Sequence, residues 1–251
     1  MKEGVIKFSY DWKKKPLPAS LDIGELVKYR NKLRDCTGGI KETKRQMEHG
    51  FSLTKKILSQ SPQRSQRRDF LGLEIKKGKS ELPVYGLIGA DGNGIGYGNI
   101  SVRYKSSGQY IISASDTGKI KRAGKYHFTV VNSVDIKKNF VSCTGMKVAS
   151  SESMTHDIIY NLSSGIKCVI HVHNQKLWKR LLNKAPTTSK RISYGTPKMA
   201  YDIKRLWNDS DLKEKKILVM AGHKGGLVVF GKSIEEAYNI ITGYLEPNLV
   251  F

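Results

Sequence analysis

Hydrophobic and polar positions divide the chain into two unlike parts. From residue 86 onward, short runs rich in Val, Ile, Phe and Tyr alternate with longer stretches whose apolar residues recur every three or four positions. The short runs predict strands over 98–104, 110–114, 128–133, 140–143, 167–172, 216–221 and 227–230. The longer stretches predict helices over 150–162, 175–183, 196–207 and 233–245. Strands and helices take turns through the second half, the pattern of a layered α/β domain. The N-terminal part begins with an extended stretch over 5–10 and a turn bounded by Pro16 and Pro18. A helix follows, with Leu26, Val27, Tyr29 and Leu33 at its apolar positions and Ser20 or Asp22 as its cap. Residues 36–83 are polar and basic, with few large apolar side chains. A short helix fits 43–57, and SQSPQRSQRR reads as unstructured. The expectation is an insertion over 36–83, with 1–35 adding a strand and a helix to the domain formed by 84–251.

Composition narrows the class. A chain of 251 residues, 39% of them apolar, can bury a proper core. No apolar run approaches the ~18–20 residues that span a bilayer, and the opening MKEGVIKFSYDWKKK lacks the apolar stretch of a secretion signal. Cys36, Cys143 and Cys168 are odd in number and without CxxC spacing, so neither a disulfide scaffold nor a Cys-type zinc finger is expected. A reducing, cytoplasmic setting fits. The net charge of +22 is spread: 20 basic and 10 acidic residues over 1–85, 24 and 12 over 86–251. A nucleic-acid binder concentrates its charge on one element or face, so a solvated lysine-rich surface is the expectation, and nucleic acid is not an expected partner. Basic character also suits small anionic substrates.

The chemistry gathers around histidines. The apolar run Cys168-Val169-Ile170 leads into His171-Val172-His173, and on a strand residues two apart share a face. Two imidazoles on one face make half of a zinc site, and the candidate third ligand is His223, in a Gly-rich turn between two apolar strands. Cys168 falls on the opposite strand face and reads as a core residue. Glu152 follows Ser150 and Ser151, natural N-caps, which would put it in the first turn of a helix. His156 lies one turn on and reads as a packing partner rather than a ligand. The run Gly92-Asn93-Gly94-Ile95-Gly96-Tyr97-Gly98 has GxGxxG-like spacing but leads into a strand. A dinucleotide fingerprint is therefore not supported, while a tight turn is.

Taken in chain order, GNISVRY (98–104), SDTG (115–118), ASSESMTH (149–156), HVH (171–173) and GHKGGLVVFGKSIEEAY (222–238) resemble the class II aldolase/adducin family. The resemblance covers about residues 86–246 plus the first helix. It implies a three-layer α/β/α domain with a mixed central sheet. It implies zinc, or another divalent metal, on His171, His173 and His223, with Glu152 beside it as the acid/base and able to touch the ion when no substrate is bound. It also implies a substrate-phosphate pocket of Asn99, Thr117, Gly118, Ser150 and Ser151, and a homo-oligomer, commonly a tetramer. The implied activity is a metal-dependent lyase that cleaves or forms a C–C bond in a small sugar phosphate through an enediolate. A dehydratase or epimerase on similar substrates uses the same logic. A non-catalytic, adducin-like interaction domain is the other alternative, although adducin-type members typically lose the metal histidines and this chain keeps three. The family's sugar-phosphate aldolases carry a longer segment after HVH, with a proton-donating tyrosine that has no evident counterpart here. Tyr194, in YGTPKMAYDI, matches a later strand-turn-helix, and Lys224 stands where many members have Gly.

Overall fold

The computed structural model describes residues 6–36, 86–105 and 108–245. Through these the chain runs β1 (Ser9–Lys14), α1 (Gly24–Asp35), β2 (Gly89–Ala90), β3 (Gly96–Tyr97), β4 (Asn99–Arg103), β5 (Tyr110–Ser113), a 3₁₀ turn (Lys125–His127), β6 (Phe128–Asp135), β7 (Phe140–Gly145), α2 (Ser153–Leu162), β8 (Cys168–His173), α3 (Gln175–Leu181), α4 (Pro197–Asp209), α5 (Leu212–Lys215), β9 (Ile217–Val219), β10 (Gly226–Gly231) and α6 (Ile234–Gly243). Eight strands form one sheet in the order β1-β7-β6-β5-β4-β8-β10-β9, and β2 and β3 pair separately. Neighbours in the large sheet are antiparallel, except that β1 runs parallel to β7, so the sheet is mixed.

The period of two along each strand sorts side chains to the two faces. Tyr110, Ile112, Val169, Val228 and Phe230 join one core, closed by Met154, Ile158 and Ile159 of α2 and by Met199, Ile203 and Leu206 of α4. Ile111, Cys168, Ile170, Val172, Leu227 and Val229 join the other, closed by Leu26 and Leu33 of α1, Leu177 and Leu181 of α3, and Ala237 and Ile241 of α6. This is the expected three-layer α/β/α arrangement. Cys168 is a buried core residue on the face away from His171, and burial pushes its thiol pKa up.

Several local expectations are corrected. The first strand is Ser9–Lys14, not 5–10. Phe8 is buried in the core, but the ladder with β7 starts at Ser9, where backbone pairing rather than an apolar pattern defines an edge strand. Ile23 occupies the N-cap position of α1 without a side-chain cap; Asp22 instead accepts the Gly24 N–H at 2.8 Å. The turn expected in the glycine run is present, held by Asp91 Oδ1 accepting the N–H of Asn93 and of Ile95, both at 2.9 Å. The segment over 36–83, including the helix proposed for 43–57, lies outside the described residues apart from Cys36.

Polar groups are buried behind α2. Arg103 donates to the carbonyls of Ile166 (2.8 Å), Ser163 (3.2 Å) and Tyr160, closing the C-terminal end of α2. Nearby Asp157 accepts from Asn161 at 2.8 Å. Burial raises its pKa to about 7 against the opposing pull of Arg103 and Asn161. An acid whose folded pKa lies above its unfolded value adds stability that is complete at low pH and is lost as pH rises through the folded value. Asp157→Asn should therefore gain on the wild type as pH rises from 5 to 8, by on the order of 2 kcal/mol, and level off above about pH 7. Urea midpoints across that range check this, and a pH-independent difference would exclude it.

Candidate metal centre

β8 lies between β4 and β10, and their registers assemble the site. Asn99 stands opposite His171, Val228 opposite His171 on the other side, and Gly226 opposite His173. Spacing of two puts both imidazoles on the α2/α4 face, as expected. His223 arrives from the β9–β10 turn, which is closed by hydrogen bonds from the His223 N–H to the Met220 carbonyl (3.0 Å) and from the Gly226 N–H to the His223 carbonyl (2.8 Å). The turn needs glycine at 226, where a Cβ would stand 2.6 Å from the His223 ring.

The three imidazoles converge. His173 Nε2 lies 3.2 Å from His171 Nε2 and 2.8 Å from His223 Nε2. One ligand nitrogen from each ring falls within 4.8 Å of the others. Two nitrogens on a tetrahedral zinc at ~2.1 Å stand roughly 3.3 Å apart, so the spacings are close to those of a shared ion. Protonation state agrees. His171 Nδ1 is 3.1 Å from the Leu227 carbonyl, which can only accept, so Nδ1 carries the hydrogen and Nε2 of the neutral ring presents a lone pair. Burial pushes the His171 pKa down to about 4. Burial and then neighbouring histidines hold His173 well below its usual range; burial, His171 and Lys7 push His223 down to about 2. Neutral imidazoles with converging lone pairs are a donor set for a divalent cation, and the residues fit it.

Glu152 is 2% exposed and faces His223, Oε1 to Nε2 4.0 Å. It is the N-cap residue of α2 and makes no side-chain cap, which corrects its expected place in the first turn. Its carboxylate instead accepts from the Thr155 hydroxyl through Oε2 at 2.6 Å, while buried Oε1 has no hydrogen-bond partner. Burial raises its pKa to about 7; Thr155, Lys7 and the Gly195 amide act the other way. His156 is a packing residue as expected, fully buried, with Nδ1 2.7 Å from Ser101 Oγ.

One cleft collects His171, His173, His223 and Glu152 together with Asn99, Thr117, Gly118, Ser150 and Ser151. The candidate ligands, the candidate acid/base and the five candidate phosphate-binding residues thus border one space. Asn99 Nδ2 donates to Ser150 Oγ at 3.0 Å, and Asn99 Oδ1 is buried without a partner. Thr117 Oγ1 donates to the Ala114 carbonyl at 2.7 Å, so its hydrogen is engaged inside the loop. Gly118 is pressed against the β2–β3 hairpin, where a Cβ would stand 2.2 Å from the Gly89 carbonyl oxygen.

Several neighbours escaped the motif reading. The Tyr97 ring packs 5.1 Å from that of His173, and the Tyr194 ring 4.3 Å from that of His223, with Lys7 Nζ 3.2 Å from the Tyr194 centroid. Thr155, three residues after Glu152, was legible as an i,i+3 partner. Nothing in sequence joins Lys7 or Tyr194 to the histidines, because only the tertiary fold makes them neighbours.

The fold and site define a mixed-sheet α/β/α protein with a three-histidine centre of metal-ligand type at the end of its central strands. Residues 90–245 match the model of the Class II Aldolase and Adducin N-terminal domain, and the chain belongs to that family. Among solved structures it is similar to an L-fuculose 1-phosphate aldolase, at 18% identity and a TM-score of 0.45, over 59% of this chain and 72% of that one. It is similar too to a sugar-phosphate aldolase from Thermotoga maritima, at 16% identity and a TM-score of 0.46, over 59% and 81%. An L-fuculose 1-phosphate aldolase from Glaciozyma antarctica PI12 is 12% identical, with a TM-score of 0.43, over 92% and 76%. No curated protein sequence matches the chain. No helix among the described residues is long and apolar enough to cross a membrane.

The purified protein should carry about one divalent ion per chain, and His173→Ala should lower its metal affinity by more than ~100-fold, beyond the loss of an outer-shell partner. A chelator should lower the Tm of the wild type and leave that of His173→Ala unchanged. Elemental analysis and melting curves decide, and full metal content in His173→Ala would refute the assignment.

Proposed function

We propose that the chain is a divalent-metal-dependent lyase of the aldolase type acting on a small phosphorylated sugar, with zinc as the metal that three neutral imidazoles suit. The observation that carries this reading is three imidazole nitrogens within 4.8 Å of one another, beside a buried carboxylate oxygen that has no hydrogen-bond partner. His171, His173 and His223 would hold the ion. When bound, it supplies a Lewis acid for the charge that gathers on the oxygens of an enediolate as a C–C bond next to a ketone forms or breaks. Glu152 is the acid/base. Thr155 fixes Oε2, leaving Oε1 to take a proton from the substrate and return it. Asn99, Ser150, Ser151, Thr117 and Gly118 bind the substrate's phosphate through hydroxyl, amide and backbone donors. Thr117 must turn its hydroxyl away from Ala114 to join them. Binding energy from that remote group orients the reacting carbons.

The test is a panel of ketose and aldose phosphates assayed with the metal-loaded protein. Turnover is expected for a phosphorylated sugar and not for its unphosphorylated counterpart. Glu152→Gln should keep its metal and lose ~10²–10⁴-fold in kcat. An unchanged kcat in that variant would remove Glu152 from the chemistry. A chain that binds metal but turns over no sugar phosphate would overturn the lyase reading.

A further inference from the structure

Arg30 is a charged residue that makes no ion pair among the described residues, although Asp35 acts on it at longer range. It lies on α1, remote in sequence from the cleft, and is 0% exposed. Its Nη2 donates to the Thr117 carbonyl at 2.5 Å; Nη1 donates to the Ile120 carbonyl at 2.7 Å and to Asn31 Oδ1 at 3.1 Å. Its Nε is buried with no partner. Among the described residues no acidic side chain forms an ion pair with it. Burial, and then Arg34, lower its pKa to about 10 while Asp35 acts the other way, so the guanidinium stays protonated at neutral pH. A buried, unpaired cation is costly, and proteins keep such groups where they serve a purpose.

The geometry shows what the cation is aimed at. Asn31 clasps the same segment, accepting the Ala123 N–H at 2.9 Å and donating to the Ala123 carbonyl at 3.2 Å. The two side chains thus tie α1 to residues 117–123. The Thr117–Gly118 peptide is trans, so its C=O and N–H point in opposite directions. With the carbonyl turned to Arg30, the Gly118 N–H is turned away from it, and Gly118 borders the cleft. The carbonyl also accepts the Ile120 N–H at 3.1 Å, which completes the turn. The β2–β3 hairpin presses on Gly118, so the turn is held from both sides.

We infer that Arg30 is a positioning residue for the anionic group of the substrate: it locks the Thr117–Gly118 peptide with its N–H toward the cleft and backs that donor with a buried positive charge held in no ion pair. This rests on the reading of the substrate as phosphorylated. Hydrogen bonds to two carbonyls would serve to hold the turn alone. The unpaired charge is what a structural role leaves unexplained and an anion accounts for.

Inorganic phosphate is the probe, titrated by calorimetry into metal-loaded protein. Arg30→Met should weaken phosphate binding by about 10-fold or more, the value of one charge-assisted interaction, and Arg30→Lys should recover part of the loss. Metal content should not change, because the three imidazoles stand on β8 and the β9–β10 turn. The KM for a phosphorylated substrate should rise by a similar factor, while kcat changes less. Equal phosphate affinity in the wild type and folded Arg30→Met overturns the inference alone. A wild type that binds metal but no phosphate overturns the proposed substrate class with it, so the two failures are separable. Should Arg30→Met not fold, the wild type still decides: phosphate should shift the backbone amide resonance of Gly118. A resonance that stays in place while phosphate binds overturns the proposal.

Discussion

Everything in the cleft depends on three lone pairs being held against one another in a dry place. Converging imidazole nitrogens repel, and a surface site would relieve the repulsion by protonating a ring or turning it to water. Neither route is open here. Burial holds all three histidine pKa values down, and the Leu227 carbonyl fixes the tautomer of His171. The central strands of the sheet supply the rigidity, since β8 is paired on both sides in a register that brings Asn99 and Gly226 alongside. A cation replaces the repulsion with attraction, so its binding energy is also folding energy.

Legibility from sequence followed the same division. His171 and His173 could be placed on one face because a strand's period of two is nearly invariant, and Cys168 on the other face by the same rule. His223 was found because a turn between two apolar runs ends at the sheet edge where they end. The elements at 128–133, 140–143 and 175–183 came close because their apolar positions meet the two cores directly. β1 was misplaced because an edge strand is exposed on both faces, and its backbone pairing with β7 leaves no hydrophobic trace. Glu152 looked like an ordinary capping residue. Its distinction is burial with one oxygen unmatched, a property of the tertiary structure alone. Arg30 carries no signal in the sequence for the same reason, since only the fold buries it.

The family match covers β4 to β10 and the three histidines, while β1 and α1 lie outside the matched residues. Yet α1 is fastened to the cleft wall through Arg30 and Asn31, and its Leu26 and Leu33 complete one core. An element before the matched region therefore shapes the site inside it. The short contacts at Gly118 belong to the same device. The hairpin stands where a Cβ at 118 would go, so only glycine fits against it, while the guanidinium holds the carbonyl of the preceding residue.

On the proposed reading the cleft joins two opposite electrostatic preferences. Three neutral nitrogens attract a cation, and through it would attract the oxygens of a carbonyl or hydroxyl. The Gly118 amide, with the Arg30 guanidinium on the carbonyl of the same peptide, would favour an anion. Burial raises the Glu152 carboxyl toward neutral pH, the range that suits a proton carrier. A molecule with a polarisable carbonyl at one end and a negative charge at the other would be oriented by these two preferences, and that orientation would decide which carbon faces the carboxylate. Direction of binding and site of proton transfer would then be one constraint, imposed by where the sheet ends and by what α1 carries.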